Sequence, residues 1–136
     1  MLPRNHLIIA VDFDGTIVED AYPQIGKPIL FAFETLKELN KDGHRLILWT
    51  YRNGSRLDEA VEFCSKKGVE FYAVNKNYPE EKFEGKVSRK IHADIFIDDR
   101  NIGGLLGWGE VYKLITNNPD AKVPLRKKKK WYLPFL

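Results

Sequence analysis

Two aspartates, Asp12 and Asp14, flank Phe13 and stand directly ahead of Gly15 and Thr16. In an extended segment, side chains two apart leave the same side of the backbone, so both carboxylates face one way and Phe13 the other. Gly15 lets the chain turn sharply beyond them with no side chain in the way. Carboxylates this close repel, and one holds its proton more strongly unless a cation neutralises the pair. A second acidic pair, Asp98 and Asp99, follows a later apolar segment. Four carboxylates in one crevice call for a hard divalent cation. Mg2+ suits such a set, because it takes one or two carboxylates in near-octahedral oxygen coordination and keeps places for waters and a substrate phosphate. The chemistry of such a site is phosphoryl transfer. One aspartate attacks phosphorus and carries an aspartyl-phosphate. The other protonates the leaving alkoxide and then deprotonates the attacking water. Thr50 offers a hydroxyl to a phosphoryl oxygen, and a lysine would offset the charge of the transferring group.

The elements that must position these residues are legible as alternating patterns. Leu7-Ile8-Ile9-Ala10-Val11 is a continuous apolar run ending at Asp12, the pattern of a strand buried on both faces. Residues 45–50 read as a second strand, 69–74 as a third and 93–97 as a fourth, ending at Asp98. A loop marked by Pro23, Gly26 and Pro28 leads to a helix carrying Ile29, Leu30, Phe33, Leu36 and Leu39, closed by Asn40 and Gly43. Leu57, Val61 and Cys64 mark a second helix, opened near Ser55 and closed by Gly68. Residues 75–90 are polar and irregular, and 101–109 read as a short helix and turn. Residues 111–115 fit a late edge strand or a helix equally well. The alternation predicts an α/β fold, a three-layer Rossmann-like parallel sheet with right-handed crossovers and helices on both faces. Ligands of such sheets bind outside the carboxyl ends of the strands, which is where Asp12, Thr50 and Asp98 fall.

The bulk composition agrees with one globular domain. The chain has 136 residues, 43% hydrophobic and 30% charged. No apolar run approaches the ~20 residues that span a bilayer, and the N-terminal apolar segment is too short for a signal peptide. A single cysteine excludes an internal disulfide; these features point to the cytoplasm. Cys64 itself reads as a buried bystander thiol. The net charge of +3 is local, because five of the 22 basic residues lie in 126–130 and the remainder sets 17 against 19 acidic residues. Residues 1–118 form the expected domain and 119–136 a basic and aromatic tail. That tail could contact nucleic acid or an anionic membrane, although packing on this or a neighbouring subunit is the plainer reading.

The ordered set of Asp12-Phe13-Asp14-Gly15-Thr16, Thr50 and Asp98-Asp99 resembles the haloacid dehalogenase superfamily of phosphohydrolases, over about residues 7–107. The resemblance implies strand order 5-4-1-2-3, Asp12 as nucleophile and Asp14 as general acid/base. It also implies Mg2+ held by the Asp12 carboxylate, the Asp14 main-chain carbonyl and Asp98, with Asp99 in support. Lys90 resembles the lysine of short members. Lys76 directly follows the third strand, and Lys86 and Lys82 are further candidates. Gly15, Thr50, Tyr51, Arg52 and Lys76 are the expected substrate contacts, with Arg52 equally readable as a solvated loop residue. Only 35 residues separate Asp14 from Thr50, and 39 separate Thr50 from Lys90. Helices, strands and loops consume both intervals, so no cap domain fits and the site should be open or shielded by another subunit.

A small phosphorylated substrate is the expected partner, with a homo-oligomer joined through the tail as a further expectation and polymer phosphate ends as an alternative. A phosphorylatable receiver domain uses similar residues, but there the adjacent acidic pair comes first in the chain rather than last. His6, His44 and His92 read as surface residues, and Trp49 and Phe96 as core.

Overall fold

In the computed structural model, which describes residues 6–125, the apolar runs ahead of the acidic residues form one parallel sheet. Its strands are β1 (Ile8–Val11), β4 (Arg45–Leu48), β5 (Ala73–Val74) and β6 (Ile95–Ile97), in the order β5-β4-β1-β6. Val11 pairs with Leu48 on one side and with Ile97 on the other. The next residues, Asp12, Trp49 and Asp98, therefore leave the sheet at one level. The ladder runs on past the strands, with Asp12 N–H donating to Ile97 O at 3.0 Å and Trp49 N–H to Val11 O at 2.9 Å.

Between β1 and β4 the chain forms a hairpin, β2 (Val18–Ala21) and β3 (Gln24–Pro28), and then helix α1 (Ala32–Lys41). The hairpin replaces the expected loop. Its strands are antiparallel, with Asp20 opposite Ile25 and Ala21 opposite Gln24. They are largely exposed, so they lack the alternation of apolar and polar residues that marks a half-buried strand. Gly26 permits the pairing, since a side chain there would collide with the Glu19 carbonyl.

Helix α2 (Gly54–Lys66) follows β4, and α3 (Trp108–Thr116) follows β6. All three helices pack on the same sheet face. Ile9, Val11, Leu46, Leu48 and Ile97 share one cluster with Phe33, Leu36 and Leu39 of α1, Ala60 and Cys64 of α2, and Trp108, Val111 and Tyr112 of α3. Phe33 and Phe63 lock α1 to α2 with ring centroids 5.9 Å apart. The opposite face holds a smaller cluster of Ala10, Ile47, Ala73 and Ile91, with Trp49 and Tyr72 against it. Helices on both faces were expected, and this is a correction. The crossovers from β1 to β4 and from β4 to β5 step the same way across the sheet, which puts α1 and α2 on one side. The return from β5 to β6 crosses the other face, where residues 75–93 are irregular and seat Ile91 as their buried anchor.

Among the described residues, four strands take the place of the five in the expected order 5-4-1-2-3, with residues 111–115 helical. Trp108, Val111, Tyr112 and Ile115 repeat at helical spacing, a period visible only once Trp108 is included. Two side chains depart from their expected settings. Phe96, expected in the core, is 40% exposed on edge strand β6, whereas His44, expected at the surface, is buried and accepts the Leu7 N–H at 3.0 Å. Beyond the expected boundary at residue 118, Ala121 and Val123 pack against the main core. Residues 126–136, with the basic and aromatic tail and its expected contacts, lie outside the described residues. Among the described residues, no helix is long and apolar enough to cross a membrane.

Trp108 links the helical layer to the loop after β1, its buried indole N–H donating to Thr16 O at 2.9 Å. Trp108→Phe removes that donor and part of the packing, so urea unfolding should show a loss of about 2–3 kcal/mol.

Candidate active site at the strand tips

Beyond Asp12 the backbone winds back on itself, with the N–H groups of Thr16 and Ile17 both donating to Phe13 O. The turn brings the Thr16 hydroxyl beneath the strand tips. That hydroxyl donates to Asp12 Oδ2 at 2.9 Å and accepts the Asp99 N–H at 3.0 Å, tying the end of β1 to the end of β6. Thr16 is fully buried. Sequence reasoning assigned it no role, although it closes the five-residue segment that drew attention first. Gly15, an expected substrate contact, also gives Asp99 clearance. It holds φ +82°, and a methyl group on it would lie 2.8 Å from Cγ of Asp99.

A crevice of about 460 Å³ opens above these tips, lined by Asp12, Asp14, Asp20, Tyr22, Thr50, Tyr51, Asp98 and Arg100. Asp12, Asp98 and Asp99 can each offer one carboxylate oxygen such that the three lie within 4.8 Å of one another. Burial is the main reason that the Asp12 carboxyl is pushed up to about 7, and the neighbouring Asp98 and Asp99 add to it while the Thr16 hydrogen bond opposes it. Among the described residues, no ion pair reaches any of these three carboxylates. A half-buried acidic set with no ion pair among the described residues matches the oxygen donors that a hard divalent ion takes, so the residues present fit such an ion.

Asp14 has the opposite surroundings. Arg52 Nε donates to its Oδ2 and Nη2 to its Oδ1, both at 2.8 Å. Arg52 is 1% exposed, and its remaining donors reach Pro23 O at 3.2 Å, Gln24 O at 2.9 Å and Arg56 O at 3.4 Å. Hydrogen bonding to Asp14 raises the arginine's already high pKa. Arg52 was expected to meet substrate or solvent, and the fold instead commits it to Asp14 and the hairpin. The two aspartates thus line one crevice with different partners.

Thr50 keeps its expected place. Its N–H donates to Asn75 Oδ1 at 2.8 Å and its Oγ1 accepts the Arg52 N–H at 3.1 Å, which leaves the hydroxyl proton to donate to a ligand. Tyr51 stands beside it at the rim, 98% exposed. None of the four candidate lysines lines the crevice. Lys90 is exposed next to buried Ile91, in the irregular segment that leads into β6. Lys76 turns to Pro79 O at 3.2 Å, while Lys82 and Lys86 are exposed in the covering segment. The basic side chain in the crevice is Arg100, whose N–H caps Asp98 Oδ1 at 2.8 Å. Arg100 and Asp20 carried no expectation. The adjacency of Arg100 to Asp99 was a usable signal, whereas Asp20 depends on a hairpin that only the fold brings near.

A solved structure of a conserved protein from Bacteroides thetaiotaomicron superposes on this one with a TM-score of 0.79 and 58% identity, covering 83% of this chain and 92% of that one. The chain belongs to that protein's family. No family model matches the chain, and no curated protein matches it.

The raised Asp12 carboxyl has a consequence for stability. The folded protein holds this proton up to about pH 7, whereas an unfolded aspartate releases it near 3.8. The stabilisation from this group is therefore full below pH ~4 and is lost as pH rises through about 7. Thermal unfolding in a chelator should drop by roughly 5 °C between about pH 5 and pH 8. Asp12→Asn should flatten that slope. In the other half of the site, Arg52→Met leaves Asp14 and two hairpin carbonyls without their donors and should cost about 3–5 kcal/mol in urea unfolding.

Proposed function

We propose that the protein is a divalent-metal-dependent phosphatase of phosphomonoesters, working as the haloacid dehalogenase resemblance implies, with Asp12 as nucleophile and Asp14 as general acid/base. The observation that carries this reading is the division of the two aspartates. Asp12 faces the unpaired acidic set at the tips of β1 and β6, whereas Asp14 is held apart on Arg52 in the same crevice. A bound cation beside Asp12 would keep that carboxylate ionised against phosphorus, whereas the Asp14 carboxylate, set apart from the acidic set, would exchange a proton with the leaving oxygen.

Asp12, Asp98 and the main-chain carbonyl of Asp14 would hold the ion, with Asp99 in support. The ion, Mg2+ on this reading, would neutralise the acidic set and draw charge from the phosphoryl oxygens. An Asp12 carboxylate oxygen attacks phosphorus, the bond to the leaving oxygen breaks, and Asp14 delivers its proton to that oxygen. Asp14 then takes a proton from water, whose oxygen displaces Asp12 from phosphorus and releases inorganic phosphate. Thr50 donates its hydroxyl to a phosphoryl oxygen. Arg100 supplies the positive charge for which lysine was expected, since it reaches the crevice and the four lysines do not.

Phosphate release from a panel of phosphomonoesters tests the reading. Turnover should require Mg2+, and Asp12→Asn should lower kcat by at least about 10³-fold. Asp14→Asn should lower it by about 10²–10⁴-fold, with the larger losses on esters whose leaving alkoxide is most basic. Full turnover by Asp12→Asn would refute the mechanism.

A further inference from the structure

Two tyrosines stand at the mouth of the crevice with no part in the phosphoryl chemistry. Tyr22 occupies the tip of the β2–β3 hairpin and is 58% exposed, and Tyr51 directly follows Thr50 and is 98% exposed. Both line the crevice. Tyr22 is also anchored from within. The Arg52 guanidinium lies 5.1 Å from its ring centroid and 5.1 Å from the ring of buried Phe13, and Arg52 is itself held by Asp14, Pro23, Gln24 and Arg56. A ring seated on an immobilised cation keeps its open surface oriented, so a second flat group stacks on it at low entropic cost.

We propose that Tyr22 and Tyr51 form a stacking platform for a planar heteroaromatic base, so that the phosphomonoester taken by this site is a nucleoside monophosphate. The proposal rests on the phosphatase reading and specifies its substrate. Exposed aromatic rings beside a phosphate site are the elements with which proteins hold bases without reading an extended sequence. The volume of about 460 Å³ falls within the range of small-molecule sites. The charges in the lining favour one phosphate over several. Among the described residues, Arg100 is the single basic residue there, against Asp12, Asp14, Asp20 and Asp98. Asp20 Oδ1 already accepts the Tyr22 backbone N–H at 3.2 Å, so its carboxylate is held at the hairpin tip. There it favours a base edge that donates hydrogen bonds and repels a second phosphate.

The decisive comparison sets nucleoside 5′-monophosphates against ribose 5-phosphate, which carries the same phosphate and sugar without the base. With the full chain and Mg2+, kcat/KM for the nucleotides should exceed that for ribose 5-phosphate by at least about tenfold. Tyr22→Leu should lower that ratio at least about fivefold, Tyr22→Phe should restore it, and Tyr51→Ala, at a fully exposed position, should lower it about threefold. Equal kcat/KM for the two substrate classes would overturn the platform, as would a Tyr22→Leu loss that falls equally on both. Calorimetric binding of the same compounds separates the two readings. Absence of turnover with every ester, together with nucleotide-selective binding lost in Tyr22→Leu, would sink the phosphatase reading and uphold the platform. Binding that ignores the base would sink the platform alone.

Discussion

A buried guanidinium joins four segments of this chain. Taking an arginine out of water costs several kcal/mol unless each donor finds an acceptor, and Arg52 meets that demand with both oxygens of Asp14 and the carbonyls of Pro23, Gln24 and Arg56. The requirement fixes more than one side chain. It draws the β2–β3 hairpin over the tip of β4, sets the direction of the Asp14 carboxylate and pins the first turn of α2. The same group lies over Phe13 and Tyr22, so the position of the hairpin tip follows from it too.

The acidic residues divide around this constraint. Asp14 has a cationic partner inside the protein, while Asp12, Asp98 and Asp99 converge with none among the described residues. Thr16 keeps that second set together, with its hydroxyl between Asp12 and Asp99 and its carbonyl on Trp108 of α3. The hydrophobic layer therefore reaches the site through one hydrogen-bonded residue. Gly15 completes the arrangement by giving Asp99 the space a side chain would fill.

The one-sided helical layer explains the openness of the crevice. Three helices cover one face of the sheet, and an irregular segment anchored by Ile91 covers the other. The hairpin and the residues after β4 bring Asp20, Tyr22 and Tyr51 to the mouth.

The sequence by itself determined the parallel strands, the acidic residues at their ends and the convergence of Asp12, Thr50 and Asp98. Each of these follows from a local signal: a continuous apolar run, a polar residue that ends it, or a glycine turn. Periodicity also located α1 and α2. Only the tertiary structure decided which face the helices cover, because that depends on the order in which strands are laid down. It decided that Arg52 belongs to Asp14 and the hairpin, a pairing 38 residues apart in sequence. It placed Arg100, and none of the four candidate lysines, along the crevice. Residue type and spacing state what a group can do. Which group does it depends on long-range burial and hydrogen bonding, and these exist only once the chain has folded.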